Sequence, residues 1–460
     1  MRWLFMQKNR GKLKILISAA GFLPHSFGGG ESYVYSLAKE LLRRSHNVMV
    51  FTSAKWNGQK DRYKVESSKF ENIPVVTYCL NPKVVSPEER HTGSGPLTIQ
   101  ILRNILEERL PDIVHINGIK PAFAAVCNEL KIAHVVTAHH MGIACPAGGL
   151  LRSDNSICDK TANYRDCVPC CSYLKAPKWY AGGLLGRMPS WIYRPIGKAL
   201  GRAKNLPYLG RGLMYPWLIE QLIEAEKMLL SEAKSLIAPS QTMKELLIRN
   251  GCDSSKIILL PHGIEPFKKI PFEPLTDRPT RFGYIGRIDP YKGLHVILKA
   301  LELVPIRDLW EFHIFGAARN PWDEEYRRMV LKNPHGKAKV FDHGPILPEK
   351  IAEAYQNIDV LVVPSILPEA FGLVVAESFS AGRPVIVANS GALAELVRHG
   401  VDGFVVKRND SQSLAEAMQK FIDNPNLVTE MSGKIRLVKT IQQYVDEVEK
   451  IYDNLVSTNS

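Results

Sequence analysis

The chain has 460 residues, too many for one hydrophobic core, and its 45% hydrophobic and 23% charged content fits a two-domain globular protein, not a disordered or fibrous one. No apolar run reaches the ~18 residues that a membrane-spanning helix needs. The formal net charge is +13, and eight cations with no Asp or Glu among them lie between Ser172 and Ile219: Lys175, Lys178, Arg187, Arg194, Lys198, Arg202, Lys204 and Arg211.

Basic residues ahead of the apolar run 13–23 give the start of the chain the look of a secretory leader. Lys14 interrupts that run, no small-residue cleavage site follows, and a glycine loop comes next, so 14–20 reads as a first buried strand. The loop contains Gly28-Gly29-Gly30-Glu31 and opens a helix to about Arg44, with Val34, Leu37, Ala38, Leu41 and Leu42 on one face. Glycines between a strand and a helix start let backbone N–H groups approach an anion, although an ordinary tight turn uses the same residues. The run is not Gly-x-Gly-x-x-Gly, which counts against a nicotinamide cofactor. Strands are predicted at 48–52 and 75–79, a polar loop at 82–95, and a helix from there to Leu110. A strand at 111–117 has its polar end at Asn117. The next, 133–138, runs into His139-His140, which a parallel sheet would set at its ligand-binding edge. A histidine there suits a sugar hydroxyl or a phosphate, and equally a purely structural role.

Five of the eight cysteines follow within a short span, Cys145, Cys158, Cys167, Cys170 and Cys171. The Cys167-x-x-Cys170 gap lets two thiolates reach one tetrahedral zinc, and Cys145 and Cys158 would complete a closed structural site; unliganded thiols are the alternative. The cation-rich stretch also holds Tyr173, Trp179, Tyr180, Trp191, Tyr193, Tyr208, Tyr215 and Trp217. Basic residues interleaved with Trp and Tyr suit the headgroup layer of an anionic membrane better than a nucleic acid, and a surface loop packed on its own domain is the plainer reading. A helix at 218–233, a strand at 235–239, a helix at 241–250 and a strand at 257–260 come next. Residues 264–280, proline-rich and without period, then read as a domain linker.

The second half repeats strand, glycine turn and helix. A strand at 281–285 leads into Gly286-Arg287-Ile288-Asp289-Pro290-Tyr291-Lys292-Gly293, where Arg287 and Lys292 flank a turn and either hold a diphosphate or stay solvated. Strands at 311–315, ending at Gly316, at 339–341, at 358–363 and at 384–388 continue the pattern. Between the last two lies Pro364-Ser365-Ile366-Leu367-Pro368-Glu369-Ala370-Phe371-Gly372-Leu373-Val374-Val375-Ala376-Glu377, a strand end, a loop and a helix expected to start near Phe371. Glu369 and Glu377 are spaced to hold hydroxyls at two ends of an elongated ligand rather than to share a proton or a metal, unless they are a capping acid and a solvated one. Two doubly wound α/β sheets follow from the whole alternation.

Taken together, Gly28-Gly29-Gly30-Glu31, His139, Pro261-His262-Gly263-Ile264, Gly286-Arg287 through Lys292-Gly293, Glu369-Ala370-Phe371-Gly372 and Glu377 resemble the retaining nucleotide-sugar glycosyltransferases of GT-B fold, family 4, group 1 type. A subset of that family is similar over His139 and the Cys145, Cys158, Cys167, Cys170 insertion. The resemblance implies two Rossmann-like domains facing a crevice. These would be residues 1–263 with an insertion at about 141–219, a linker at 264–280, a nucleotide-sugar domain at 281–433, and a helix at 434–460 returning to the first domain. It implies that Arg287 and Lys292 hold the donor diphosphate, that Glu369 holds the donor sugar, and that His139 reaches the sugar from the other domain. Donor contacts from Gly29, Gly30, Gly286, Gly316, Phe371, Gly372, Leu373 and Val374, and from Glu377 to the ribose, belong to the same implication. No metal would be required, and no Asp-x-Asp occurs in the chain. Two departures stand out, His140 where many members have Asp, and Ala370 where Pro is usual. The expectation is a cytoplasmic transferase, peripheral on the inner membrane face, that acts on a lipid-linked or cell-surface glycan and binds no nucleic acid. A nucleotide-sugar 2-epimerase and a non-catalytic sugar-binding protein are the alternatives.

Overall fold

The computed structural model describes residues 11–26, 28–56, 61–118, 120–152, 154–175, 188–201, 208–267, 270, 278–304, 309–332, 339–346 and 350–459. They form two α/β units. The first takes in the chain through Pro239, Met243–Leu260 and everything from Gln442; the second holds Ser240–Thr242 and Pro261–Ile441.

The first unit contains eight strands, β1 (Lys14–Ala19), β2 (Asn47–Ser53), β3 (Tyr63–Phe70), β4 (Ile73–Leu80), β5 (Ile113–Ile116), β6 (Ala133–Thr137), β7 (Leu236–Ala238) and β8 (Ile257–Leu259), in the order β3-β4-β2-β1-β5-β6-β7-β8. All pairings are parallel except β3 with β4. In the second unit β9 (Thr280–Ile285), β10 (Trp310–Phe315), β11 (Val340–Gly344), β12 (Val360–Val363), β13 (Val385–Ala388) and β14 (Gly403–Val406) form a parallel sheet in the order β11-β10-β9-β12-β13-β14. The central strands β5, β6, β12 and β13 are buried at every position and lack alternation, because helices cover both faces of such a sheet. Strand β3, Tyr-Lys-Val-Glu-Ser-Ser-Lys-Phe, is mostly exposed, and its charged residues protect a sheet edge. Strand order reverses between β1 and β5 and between β9 and β12, and ligands of open α/β sheets bind beyond the carboxyl ends of strands at such points.

A helix, Ile441–Asn459, closes the first unit. It starts later than expected: 435–439 has no regular structure and Thr440 bridges to Ile264 instead. Its buried face brings two tyrosines into a polar core, Tyr444 Oη 2.7 Å from Tyr33 Oη and Tyr452 Oη 2.6 Å from His115 Nδ1. His115 Nε2 in turn lies 2.6 Å from Thr137 Oγ1. Burial alone drives the His115 imidazole down to about 3, so the ring is neutral and needs both partners. Glu449 adds an ion pair to Arg44 and a hydrogen bond to His46, each at 3.0 Å.

The cation-rich stretch is not one loop. It carries the helices Ser190–Gly201 and Tyr208–Glu232, and Gly197 and Gly201 let the first lie directly on Trp217: a Cβ at Gly197 or Gly201 would come within 2.2 or 2.5 Å of that side chain. Tyr193 and Trp217 are core residues beside Met214 and Leu218, and Tyr215 packs on the cluster of Val168, Cys171, Ile219 and Ile223. Arg194 is paired with Glu220, one residue beyond the acid-free run, at 2.6 Å. Of the named aromatics whose side chains are described, Trp191 stands 76% exposed. Lys178, Arg187, Arg202, Lys204, Trp179 and Tyr180 lie outside the described residues, as do the side chains of Tyr173, Lys175, Tyr208 and Arg211. The expected polar loop after β4 contains a short helix, Pro87–Thr92, capped by Ser86 Oγ on Glu89 N at 3.1 Å.

Candidate functional site

In the second unit the loops leaving β9 and β12 interlock at the reversal of strand order. The β9 loop makes a 3₁₀ turn, Pro290–Lys292, that Asp289 caps by accepting from Tyr291 N at 2.9 Å and Lys292 N at 3.1 Å. Gly293 ends the turn at φ +76°, and a Cβ there would fall 2.4 Å from the Pro364 carbonyl oxygen, so only glycine allows the approach. Ile366 N then donates to Tyr291 O at 2.8 Å. Gly286 needs its φ of +152°, and Gly316, at the end of β10, packs on Gly286 O, where a Cβ would be 2.1 Å away.

This interlock delivers Lys292 Nζ to Glu369 Oε1 at 2.5 Å. Ser365, buried at the exit of β12, donates to the same oxygen at 2.7 Å. Burial works to raise the Glu369 carboxyl, but the Lys292 charge and hydrogen bond, the Ser365 hydroxyl and the Arg287 charge hold it below its ordinary range. Arg287 is 42% exposed, with Nη2 3.5 Å from Asp289 Oδ2. A third loop fixes the backbone of Glu369: its N–H donates to Ser390 O at 3.3 Å, its carbonyl accepts from Ala392 N at 2.9 Å, and Gly391 makes room for it.

The helix expected near Phe371 begins at Leu373 and runs to Ser380, with Gly372 at φ +108° as its cap and no side chain bonded to its first N–H groups. Phe371 is buried against Ile264 and Ala376, with the His262 ring edge-on at 5.1 Å. Leu373 and Val374 form the first turn. Glu377 lies just over one turn into the helix, less deep than expected, and its Oε2 accepts from Tyr355 Oη at 3.2 Å. Burial lifts its carboxyl to about 7 despite that bond. An ion pair with donors to spare, an uncapped helix start and a desolvated carboxyl suit an anionic, hydroxyl-rich ligand.

In the first unit, β1 exits into Gly28, the cap of the helix Gly29–Arg43, and a Cβ at Gly30 would meet nothing within 4 Å, so internal packing does not require glycine there. Tyr33 on that helix sets its ring edge-on to His139, centroids 4.5 Å apart. His139 Nε2 lies 2.6 Å from Oδ1 of Asn117, at the exit of β5. His140 departs from the usual Asp but still caps the next turn, accepting from Gly142 N at 3.0 Å.

Cys145, Cys158, Cys167 and Cys170 approach one another through a turn, a hairpin closed by Leu151 and Ile157, and the helix Tyr164–Lys175. Burial and then the three neighbouring thiols push Cys167 up to about 11. They form no disulfide, and among the described residues no three His, Cys, Asp or Glu side chains are arranged as a metal site. The sequence marked Asn117 as the polar end of a strand but suggested no role for it, nor for Ser365, Tyr355 or the Ser390-Gly391 support. Asp289 was legible as a cap, being an Asp directly before Pro.

Two family models match the chain, "Glycosyltransferase Family 4" over residues 27–173 and "Glycosyl transferases group 1" over 267–437. A D-inositol 3-phosphate glycosyltransferase of Rhodococcus opacus is 29% identical over 214 residues, 44% of this chain. That match spans about half (48%) of the relative's length. Among solved structures, a sucrose-phosphate synthase of Thermosynechococcus elongatus superposes with a TM-score of 0.66 at 20% identity, covering 97% of this chain and all of the other. Anabaena HepE with UDP and glucose gives 0.64 at 16% identity, covering 96% and 99%. These structures share the fold, two Rossmann-like units of the GT-B type. With one of these models matched in each of its two units, the chain belongs to the family 4, group 1 glycosyltransferases of GT-B fold.

Proposed function

We propose that the chain is a retaining glycosyltransferase that moves a hexose from a UDP- or GDP-linked donor to a hydroxyl of a lipid-linked or cell-surface polysaccharide precursor. The observation that carries this reading is the Lys292–Glu369 pair, with Arg287 beside it, at the β9/β12 reversal next to a helix whose N-terminus has no side-chain cap. Arg287 and Lys292 would bind the diphosphate and offset the charge that develops as it leaves. With Glu369 Oε1 engaged by Lys292 and Ser365, its other oxygen remains for a sugar hydroxyl, while backbone from Phe371 to Val374 seats the sugar and phosphate. Glu377 would take the ribose, and His139, Gly29 and Gly30 would act from the first unit. Attack on the face from which the diphosphate departs, with a leaving phosphate oxygen taking the acceptor's proton, retains the anomeric configuration and needs no side-chain nucleophile or metal. Anabaena HepE, solved with UDP and glucose, supports a UDP-type donor.

The test is a thermal-shift screen of UDP-, GDP- and ADP-hexoses, because a ligand of the folded state raises the melting temperature. One donor should shift wild type and not Lys292→Ala. Transfer that is undiminished in Lys292→Ala and Glu369→Ala would defeat the proposal; retention is read from the anomeric signal of the product, and metal independence from activity in EDTA. Peripheral attachment to the cytoplasmic membrane face belongs to the same proposal, supported by the exposed Trp191 on the helix that also carries Lys198. No helix among the described residues is long and apolar enough to cross a membrane. Flotation with anionic liposomes that is unchanged by Trp191→Ala together with Lys198→Glu would remove the membrane part.

A further inference from the structure

Three helices of the first unit enclose a groove that takes no part in the proposed transfer chemistry. The helix Tyr208–Glu232 is its floor, and the helices Pro87–Thr92 and Ser190–Gly201 are its walls. Trp217, Gln221, Glu224, Met228 and Ser231 recur every three or four residues along the floor, one continuous face about 21 Å long at about 1.5 Å per residue. Two cavities of about 560 and 540 Å³ adjoin on that face and share Glu88, Gln221 and Glu224. Strands β6 and β7 are parallel, so the long helix that crosses between them runs against their direction. Its Trp217 end is therefore nearer the carboxyl, ligand-facing edge of the sheet, and the groove leads from there toward the opposite edge.

The lining narrows the occupant. Three carboxylates, Glu88, Glu220 and Glu224, are balanced by three cations, Arg194, Lys198 and Lys227, so net charge draws in neither an anion nor a cation. Arg194 and Glu220 are engaged with each other at 2.6 Å. Among the described residues the side chains of Glu88, Lys198, Gln221, Glu224 and Lys227 make no hydrogen bond or ion pair, which leaves these donors and acceptors to a ligand. Burial and then the Glu89 charge push the Glu88 carboxyl up, a displacement that a donated hydroxyl would relieve. An acyl chain would strand these polar groups, whereas a sugar hydroxyl both donates and accepts, and Pro195, Trp217 and Met228 offer apolar contact to ring C–H faces.

We propose that this groove binds a neutral oligosaccharide, the sugars that precede the reacting end of the acceptor glycan. That the sugars belong to the acceptor rests on the transferase reading above; oligosaccharide binding does not.

The experiment screens the full chain on an array of neutral, uronic acid-containing and amino-sugar oligosaccharides of increasing length, followed by calorimetry with the neutral oligosaccharide bound most tightly. Affinity should rise with length and favour neutral chains. Gln221→Ala together with Glu224→Ala, at helix positions outside the core, should keep the melting temperature and weaken binding about tenfold, as loss of two hydrogen-bonding side chains implies. The thermal shift given by the nucleotide-sugar donor should be the same in this variant as in wild type. No neutral oligosaccharide bound by wild type, a preference for acidic or amino sugars, or binding undiminished in the double variant overturns the proposal. If the double variant does not fold, the wild-type array decides alone. Oligosaccharide binding without transfer from any nucleotide hexose would refute the transferase reading and leave the groove assignment standing, and transfer by a wild type that binds no oligosaccharide would do the reverse.

Discussion

Glu377 offers a stability signature that needs no substrate. Its carboxyl is lifted by burial from an ordinary 4.5 to about 7, with Tyr355 supplying a single opposing hydrogen bond. A raised carboxyl binds its proton more tightly in the folded than in the unfolded chain. Folding is therefore favoured below about pH 4.5 relative to high pH, and the advantage is lost as pH rises from 4.5 through 7, after which it is flat. At about 1.4 kcal/mol per pH unit the whole displacement amounts to about 3 kcal/mol. Glu377→Gln imitates the protonated acid in size and hydrogen bonding but cannot ionise. The variant should match wild type near pH 4.5 and exceed it by up to about 3 kcal/mol at pH 8. Urea melts at half-unit pH intervals, with wild type and variant compared at each pH, cancel every other titrating group. A donor ribose would add hydroxyl donors that favour the carboxylate, so calorimetry in buffers of differing ionisation enthalpy should register proton release on donor binding near pH 6 and none at pH 9. Parallel pH–stability curves for the two proteins would refute the reasoning, since they would mean that Glu377 ionises freely in the folded chain.

Tyr452→Phe removes one of two partners of a neutral, fully buried His115 and should cost about 1–3 kcal/mol in chemical denaturation. Gly293→Ala forces a Cβ to within 2.4 Å of the Pro364 carbonyl at a φ of +76°, so the β9 loop must move; loss of the donor thermal shift together with a lowered melting temperature is expected. Removing Lys292 as Lys292→Met deletes the charge that opposes burial at Glu369, so the carboxyl should move up, visible as a new titration in ¹³C-carboxyl NMR. Trp217→Ala empties the contact that Gly197 and Gly201 are shaped around and should cost about 3–5 kcal/mol if the two helices do not collapse into the space.

The alternation of buried β-branched runs with glycine turns and amphipathic helices was enough to read two doubly wound sheets, because strands covered on both faces carry uninterrupted apolar runs, as Val360–Val363 and Val385–Ala388 do. Strand β3 was illegible for the opposite reason: an edge strand defended by Lys64, Glu66 and Lys69 looks like a loop. The helix start at Leu373 was misjudged by two residues because Phe371 reads as helical, whereas Gly372 takes a left-handed conformation that only the fold reveals. Residue types misled most in the insertion. Trp217 and Tyr193 suggested a membrane surface, but the Gly197 and Gly201 spacing that buries them is a packing signal, and the partner of Arg194 lay one residue past the window without acids. Cys167 and Cys170 lie on one helix, and it is a turn and a hairpin, which spacing along the chain does not predict, that bring Cys145 and Cys158 beside them.

What the sequence could not convey is how each unit builds its ligand-facing edge, and the two solutions are alike. In the first, Gly118 lies so close to β1's exit that a Cβ would be 2.3 Å from Ala20 N; in the second, Gly293 lies the same way against Pro364. Each contact joins the loops of the two strands between which the order reverses. Once two backbones touch without side chains between them, the residue just before each glycine is held at hydrogen-bonding range of a neighbouring strand exit: Asn117 of His139 beyond β6, Lys292 of Glu369 beyond β12. Those four side chains are thus placed by glycines that need not touch a ligand themselves. The physical reason is that close packing transmits a displaced loop to its neighbour instead of absorbing it. Substitution at Gly118 or Gly293 should then disturb binding as much as loss of the polar pair it supports, while leaving the chemistry of every ligand-facing group intact.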